Sequence, residues 1–318
     1  MSAARPGVVT VTLNAAIDHT LDCPGFTAGT VNRVAAETRT AGGKGINVAA
    51  FLSGGPEPVT ATGFLGEDNI AVFEALFRER RIQDRCLRLP GSSRVNIKVV
   101  DRQGGAVTDI NLPGLRVPDG ALQRLTDELD ALAGTHGCFV LAGSLPAGVP
   151  EDVYATLTGR LRARGCVVAV DTSGVPLRQA VAARPDFVKP NALELSELLG
   201  RPLPDQVEVV RAARELHASG ISLVVVSLGA EGAIFVSGEG VLLAVPPKVE
   251  VASTVGAGDA MVSGVLSAWL SGSGLEACAR RGTAVAAGKL AQVGPVLPPP
   301  ERIQALMHAV AIHSLGSA

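Results

Sequence analysis

Cysteine is scarce in this 318-residue chain, with five residues at positions 23, 86, 138, 166 and 278, an odd number with no C-x-x-C pair. That pattern excludes a disulfide framework and a cysteine-rich zinc site, and makes the reducing cytoplasm the expected compartment. No apolar run reaches the roughly 18 residues of a membrane span, and residues 1–9 lack the apolar centre of a secretory leader. Net charge is also lacking. Lys+Arg at 28 against Asp+Glu at 30 leaves -2, which gives no global drive toward nucleic acid or an anionic membrane. Lysine is rare, at positions 44, 98, 189, 248 and 289 only, against 23 arginines. Genome base composition accounts for the bias, yet Lys44 and Lys189 both fall inside glycine- or proline-marked motifs.

Several catalytic signatures are missing. There is no G-x-x-x-x-G-K-[ST], no G-x-G-x-x-G opening a helix, no H-E-x-x-H and no G-x-S-x-G. These absences exclude a P-loop enzyme and weaken a nicotinamide oxidoreductase, a zinc protease and an α/β-hydrolase. The five histidines (19, 136, 217, 308 and 313) are scattered and read as surface or structural residues.

What is present is ample apolar material, 47% hydrophobic against 18% charged, enough for a sizeable core. From about residue 119 the pattern alternates. Helices are expected at 119–133, 150–164, 191–199, 206–219, 257–271, 275–291 and 300–313, with strands at 138–142, 166–171, 187–189, 222–227, 232–237 and 241–245. Strands 166–171 and 222–227 are apolar on both faces, as in a parallel sheet covered by helices on each side. The expected fold is one doubly wound, mostly parallel α/β domain over residues 1–318. Residues 95–100 and 106–112 form a hairpin, and a small β elaboration arises from about 18–40 and 92–113.

Four segments carry candidate chemistry. In Ser253-Thr254-Val255-Gly256-Ala257-Gly258-Asp259, two glycines precede a small-residue helix. Glycines let backbone N–H groups converge, and a helix N-terminus adds positive potential, which suits a phosphate or a developing oxyanion. Asp259 follows in the first turn, where an aspartate is expected to have a low pKa and to accept a hydroxyl proton. The plain alternative is an ordinary helix-start residue. Ser227-Leu228-Gly229-Ala230-Glu231-Gly232 closes a buried strand at its carboxyl end, where open α/β sheets bind ligands; a simple hairpin turn is the alternative. In Lys189-Pro190-Asn191-Ala192-Leu193-Glu194, Asn191 and Glu194 read as a capping box, or as groups facing nucleotide phosphates and the waters of a magnesium ion. Gly42-Gly43-Lys44-Gly45-Ile46-Asn47 leaves backbone room for a polyhydroxyl ligand, with Asp18, Lys44 and Asn47 as polar groups. Arg94 heads a strand from which it could grip an anion, or it is one more solvated arginine.

Together and in this order, GGKGIN, KPNxxE, SLGAEG and STVGAGD resemble the ribokinase-like, PfkB-type carbohydrate kinases over nearly the whole chain. Thr12-Leu13-Asn14-Ala15-Ala16-Ile17-Asp18 and Gly143-Ser144-Leu145-Pro146-Ala147-Gly148 are similar to the phosphosugar branch, with Ala15 where proline is usual and Ala260 where serine is common. Phe64-Leu65-Gly66-Glu67-Asp68-Asn69, Arg94-Val95-Asn96-Ile97-Lys98 and Thr254-Val255 with Met261 are most similar to the fructose-1-phosphate kinases of that branch. The resemblance implies phosphoryl transfer from ATP to fructose 1-phosphate, with tagatose 6-phosphate or fructose 6-phosphate as the nearest rival acceptors. A sensor that has lost catalysis is the reading from another class, disfavoured by an intact Asp259. The resemblance makes Asp259 the base and Gly256, Ala257 and Gly258 the anion hole. It places Ser227, Gly229, Glu231 and Gly232 on ATP, with Lys189, Asn191 and Gly258 near its phosphates. Glu194 and Asn191 organise Mg2+, mostly through water. Asp18, Gly42, Gly43 and Asn47 bind the sugar, and Lys44, Arg94 and Ser144 hold its existing phosphate. The resemblance further implies potassium near the Ser253 and Val255 carbonyls, a β lid closing over the sugar, and a homodimer through that lid.

Overall fold

Short β-branched runs alternate with amphipathic helices along a chain that the computed structural model describes over residues 6–317; residues 1–5, on which part of the leader reading falls, and Ala318 lie outside it. The first half contains β1 (Val8–Thr12), β2 (Ala16–Asp22), β3 (Ala36–Gly42), α1 (Lys44–Leu52), β4 (Val59–Gly66), α2 (Ala71–Arg80), β5 (Gln83–Asp84), β6 (Leu87–Leu89), β7 (Arg94–Asp101) and β8 (Ala106–Asn111). The α/β alternation follows with α3 (Ala121–Leu132), β9 (Cys138–Ala142), α4 (Val153–Arg162), β10 (Val167–Asp171), α5 (Gly174–Ala182), β11 (Phe187–Val188), α6 (Ala192–Leu199), α7 (Gln206–Ala218) and β12 (Leu223–Ser227). The chain closes with β13 (Ala233–Ser237), β14 (Gly240–Val245), α8 (Ala257–Leu270), α9 (Leu275–Leu290), α10 (Pro300–Ala309) and β15 (Ala311–Ser314).

The main sheet has eleven strands, in the order β15-β14-β13-β12-β11-β10-β9-β1-β4-β5, with β6 also paired to β4. Its centre is parallel, from β12 through β11, β10, β9 and β1 to β4. The fold is therefore ribokinase-like α/β, as expected. Alternate residues on each strand feed two cores. Val9, Val11, Phe139 and Leu141 pack with Leu125, Tyr154 and Leu216 on one face, while Cys138, Val140 and Ala142 pack with Ile46, Phe73, Val262 and Val265 on the other. Burial on both faces explains why β1 and β9 are apolar along their whole length.

A separate four-stranded sheet, β3-β2-β7-β8, is built by the two segments expected to elaborate the domain. Its strand β2 leaves β1 after a three-residue turn, and its strand β3 runs straight into α1. The small sheet is thus anchored beside the carboxyl ends of the main parallel strands.

The C-terminus departs from expectation. The helix expected over 300–313 stops at Ala309, and residues 311–314 become β15, paired antiparallel to β14. Val310 is buried and extended at the junction, and β15 covers the β14 edge, which would otherwise present an open row of backbone groups. Helix α5 and the short strands β5 and β6 were not foreseen either.

Candidate active site

β10 ends on Asp171, a carboxylate only 2% exposed. Two ammonium groups close on one of its oxygens, with Lys44 Nζ at 3.0 Å and Lys189 Nζ at 3.5 Å from Oδ1. Lys44 is the first residue of α1. Lys189 follows β11 and is kept extended by Pro190. Burial opposes the Asp171 charge, but Lys189 and then Lys44 overcome it and hold the carboxyl below its usual range. Burial likewise opposes the charge on Lys44, yet Asp171 and Asp259 outweigh it and hold the ammonium above its ordinary value. Lys44 is therefore a cation at neutral pH, fixed with Lys189 at the carboxyl edge of the sheet.

Beside them the chain turns into α8. Gly256 takes a left-handed conformation, φ 78°, and no side chain caps the helix; the Ala257 N–H makes a long 3.4 Å bond to the Thr254 carbonyl, and those of Gly258 and Asp259 remain for an anion. Any Cβ at Gly258 would lie 3.2 Å from Lys189 Nζ. Glycine there lets the lysine pack directly against the turn. Asp259, one residue on, is buried, and its Oδ2 accepts a 2.8 Å hydrogen bond from Asn47 Nδ2 of α1. The low pKa expected for Asp259 is corrected by the structure. Burial, then the Asp171 charge, pushes its carboxyl up to about 6, against the pull of Lys44, Asn47 and Lys189. The helix-start position is outweighed by desolvation, which yields a carboxylate that is ionised at neutral pH but proton-avid.

On the side of the small sheet, Asp18 of β2 stands opposite Asn96 of β7 and accepts from its Nδ2 at 3.0 Å. Burial raises the Asp18 pKa, opposed by the Asn96 hydrogen bond and by Arg94 and Lys98. A Cβ at Gly42 would fall 2.3 Å from Asp18 Oδ2, so this glycine is what lets the carboxylate fold over α1. Arg94 opens β7 half-buried. Its Nε is enclosed without a hydrogen-bond partner, and burial depresses its pKa against the attraction of Asp18. Asp18, Asn47, Lys98, Gly256 and Lys289 line one cavity of about 40 Å³. At the edge of the main sheet Ser144 Oγ accepts from Asn14 Nδ2 at 3.1 Å. The preceding turn is pinned by Tyr154 Oη and Thr172 Oγ1, which both donate to the Gly143 carbonyl, at 3.1 and 2.9 Å.

On the opposite side a groove of about 380 Å³ is lined by Asn191, Ser227, Leu228, Gly229 and Glu231, with Leu203 and Val209 among its apolar walls. Asn191 and Glu194 form a full capping box, each bond 2.8 Å long. The box occupies one Glu194 oxygen and leaves the other for solvent. One half-buried carboxylate with a free oxygen fits a hydrated magnesium carried on phosphates, since that ion needs few protein ligands. Gly232 has another duty: at φ 102°, any Cβ would sit 2.0 Å from the Ala244 carbonyl oxygen, so it shapes the β13–β14 hairpin.

The site residues read from sequence thus gather along one edge, the sugar-side set around Asp18, the nucleotide-side set around Asn191, and Gly256–Ala257–Gly258–Asp259 between. Two positions shift. Lys44, expected on the substrate's own phosphate, pairs with Asp171 within the field of Asp259 and Glu194. Asn47, expected on sugar hydroxyls, directs its amide to Asp259. Sequence reading missed Asp171, Asn96 and Lys289. A signal existed for the first: CVVAVD is a fully apolar strand ending on an acid at the edge where ligands bind.

The family model described as "pfkB family carbohydrate kinase" matches residues 11–302. A 1-phosphofructokinase of Rhodobacter capsulatus is 48% identical over 309 residues, 97% of this chain and 98% of that protein. A 1-phosphofructokinase of Xanthomonas campestris pv. campestris is 48% identical over 281 residues, 87% of this chain and 88% of that protein. Among solved structures, phosphofructokinase-2 from Escherichia coli in complex with potassium superposes with a TM-score of 0.87 at 29% identity, covering 96% of this chain and 99% of that one. The tetrameric inhibited form of the same protein gives a TM-score of 0.85 at 28% identity over the same shares.

Proposed function

Because the chain belongs to the pfkB family of carbohydrate kinases, we propose that this edge of the sheet transfers the γ-phosphoryl of ATP to the 6-hydroxyl of fructose 1-phosphate. The observation that carries the reading is Asp259: a buried, proton-avid carboxylate at the head of an uncapped helix, with Arg94, whose buried Nε has no hydrogen-bond partner, on the sugar side. The products are fructose 1,6-bisphosphate and ADP.

In this reading Asp259 takes the proton of the 6-hydroxyl as its oxygen attacks the γ-phosphorus and the bond to the ADP oxygen breaks. Asn47 keeps the carboxylate aimed. The backbone of residues 256–258 and the ammonium groups of Lys44 and Lys189 receive the charge on the phosphoryl in flight, which such a transfer needs more than covalent help. Lys44 accordingly moves from the resting phosphate to the transferring one, and Arg94 and Ser144 keep the former. Asp18, Gly42 and Gly43 shape the sugar subsite. Ser227, Gly229 and Glu231 line the nucleotide groove, with Gly232 shaping its hairpin. When bound, magnesium supplies charge neutralisation on the phosphates, and Glu194 with Asn191 would hold its waters.

The chain is read as one α/β domain whose four-stranded sheet acts as a lid, excluding water that would otherwise hydrolyse ATP. A homodimer through that lid is supported by β8, exposed at every residue and presenting Val107 and Ile110 to solvent. Five buried cysteines, none of them in a disulfide, support a cytoplasmic setting. Among the described residues no helix is long and apolar enough to cross a membrane.

The test is ADP release with magnesium-ATP and fructose 1-phosphate, fructose 6-phosphate, tagatose 6-phosphate or free fructose. The reading expects kcat/KM for fructose 1-phosphate at least about tenfold above the others, a difference of ~1.4 kcal/mol in transition-state binding. Preference for a 6-phosphate moves the enzyme to the rival acceptor, and absence of turnover on all four revives the sensor.

A further inference from the structure

Lys289 occupies the last turn of α9 and is 2% exposed. A lysine at a helix C-terminus ordinarily covers apolar surface with its stem and keeps its head in water; this one turns inward. Its Nζ donates to the Gln292 carbonyl at 2.9 Å, and its Cε lies 3.5 Å from where a Cβ on Gly256 would stand. The end of the side chain therefore sits against the left-handed turn that opens α8. It shares a cavity of about 40 Å³ with Ser253, Val255, Asp18 and Asn47. Backbone bonds tie the two elements together: the N–H groups of Ala252 and Ser253 donate to the Leu290 carbonyl at 2.7 and 3.1 Å. Burial works against the ammonium's charge and Asp259 works for it, which places Lys289 in the field of the base.

A potassium ion beneath this turn, at the Ser253 and Val255 carbonyls, would need several oxygens to replace its water shell. The residues present do not fit it. The Gln292 carbonyl already accepts from the ammonium. A cavity of about 40 Å³ has room for roughly one water, and a second positive charge there would face the first with little solvent to screen it.

We propose that Lys289 is a built-in monovalent cation: its ammonium occupies the place beneath the anion-binding turn, and turnover is independent of potassium. Lys289 acts through the turn, keeping the backbone of residues 256–258 set for the transferring phosphoryl, and is a positioning residue. The inference rests on the kinase reading above.

The experiment compares wild-type enzyme and Lys289→Met in potassium chloride and in tetramethylammonium chloride at equal ionic strength, reading kcat and melting temperature in each. The wild type is expected to show kcat equal within about twofold and the same melting temperature in both salts. Lys289→Met is expected to lose kcat by ~10–100-fold in tetramethylammonium, to regain a large part in potassium, and to melt higher in potassium, as linkage to a bound ion requires. A wild type activated about fivefold or more, or specifically stabilised, by potassium overturns the proposal. So does a variant with full kcat in tetramethylammonium, or one whose lost kcat potassium does not restore. Should Lys289→Met fail to fold, the wild-type comparison decides alone. An enzyme inactive in both salts would count against the kinase reading, while its melting temperatures still test the cation.

Discussion

Asn47 Nδ2 donates to Asp259 Oδ2 at 2.8 Å, a buried bond between the first helix and the head of α8, 212 residues apart in sequence. It orients a carboxylate whose pKa burial and Asp171 raise to about 6. A base works only when deprotonated, so kcat/KM should rise with pH through about 6 and level off above it. Initial rates at subsaturating substrate across pH 5–8 check this. A limb centred near the ordinary carboxylate value would contradict the assigned environment.

Replacing Asp259 by Asn should cut kcat by about 10²–10⁴, the usual worth of a positioned base, while both substrates still bind. Stability should move the other way. The folded-state pKa of Asp259 lies above its unfolded value, so its ionisation costs stability in full above about 6, and that cost is lost progressively as pH falls from about 6 to the ordinary aspartate value of 3.8. Asp259→Asn is therefore expected to melt above the wild type at pH 8, with the gap narrowing at pH 5 and closing only near about pH 4. Near-normal turnover, or a variant that melts lower at pH 8, would count against the role given to this carboxylate.

Asp171 balances the buried Lys189 ammonium and the part-exposed Lys44 ammonium, and Asp171→Asn removes the charge both depend on. Loss of one partner of a buried pair typically costs about 3–5 kcal/mol, to be read from urea unfolding at pH 7. The same change deletes the negative charge that helps raise the Asp259 pKa. The acidic limb of kcat/KM should then move to lower pH. Sugar phosphates titrate in the same region, so a limb that stays in place in this variant would belong to the substrate.

The sequence carried the fold class through its two-faced apolar strands, and the site through glycine turns at strand ends. Both are local signals. The missed features are non-local. Asp171, Lys44 and Lys189 meet only because β10 and β11 end, and α1 begins, at one edge, and no spacing in the chain expresses that. The Asp259 pKa was misread for the same reason: a helix start is visible in the sequence, whereas burial under α1 and a second carboxylate from another strand are not. Residues 311–314 could not be told from a continued helix, because their strand character depends on the open edge of β14.

Arg94 offers the cleanest separation of the two substrates. It opens β7, across the small sheet from Ala16 of β2, with an enclosed Nε that has no hydrogen-bond partner, while Asn191, Ser227 and Gly229 line a groove that does not include it. Arg94→Ala should raise KM for the phosphosugar by about 10–100-fold, as expected for loss of a charge-assisted contact worth roughly 1.5–3 kcal/mol. KM for ATP should change by less than about twofold. Binding lost to the sugar phosphate in both ground and transition states leaves kcat nearly intact. Initial-rate matrices in both substrates separate the constants. An equal rise in both KM values would show that Arg94 holds the lid as a whole and does not grip the phosphate, and Arg94→Lys tells the two apart again. The lysine keeps the charge but loses the guanidinium fork, so it should recover only part of the phosphosugar KM if the anion is held bidentately.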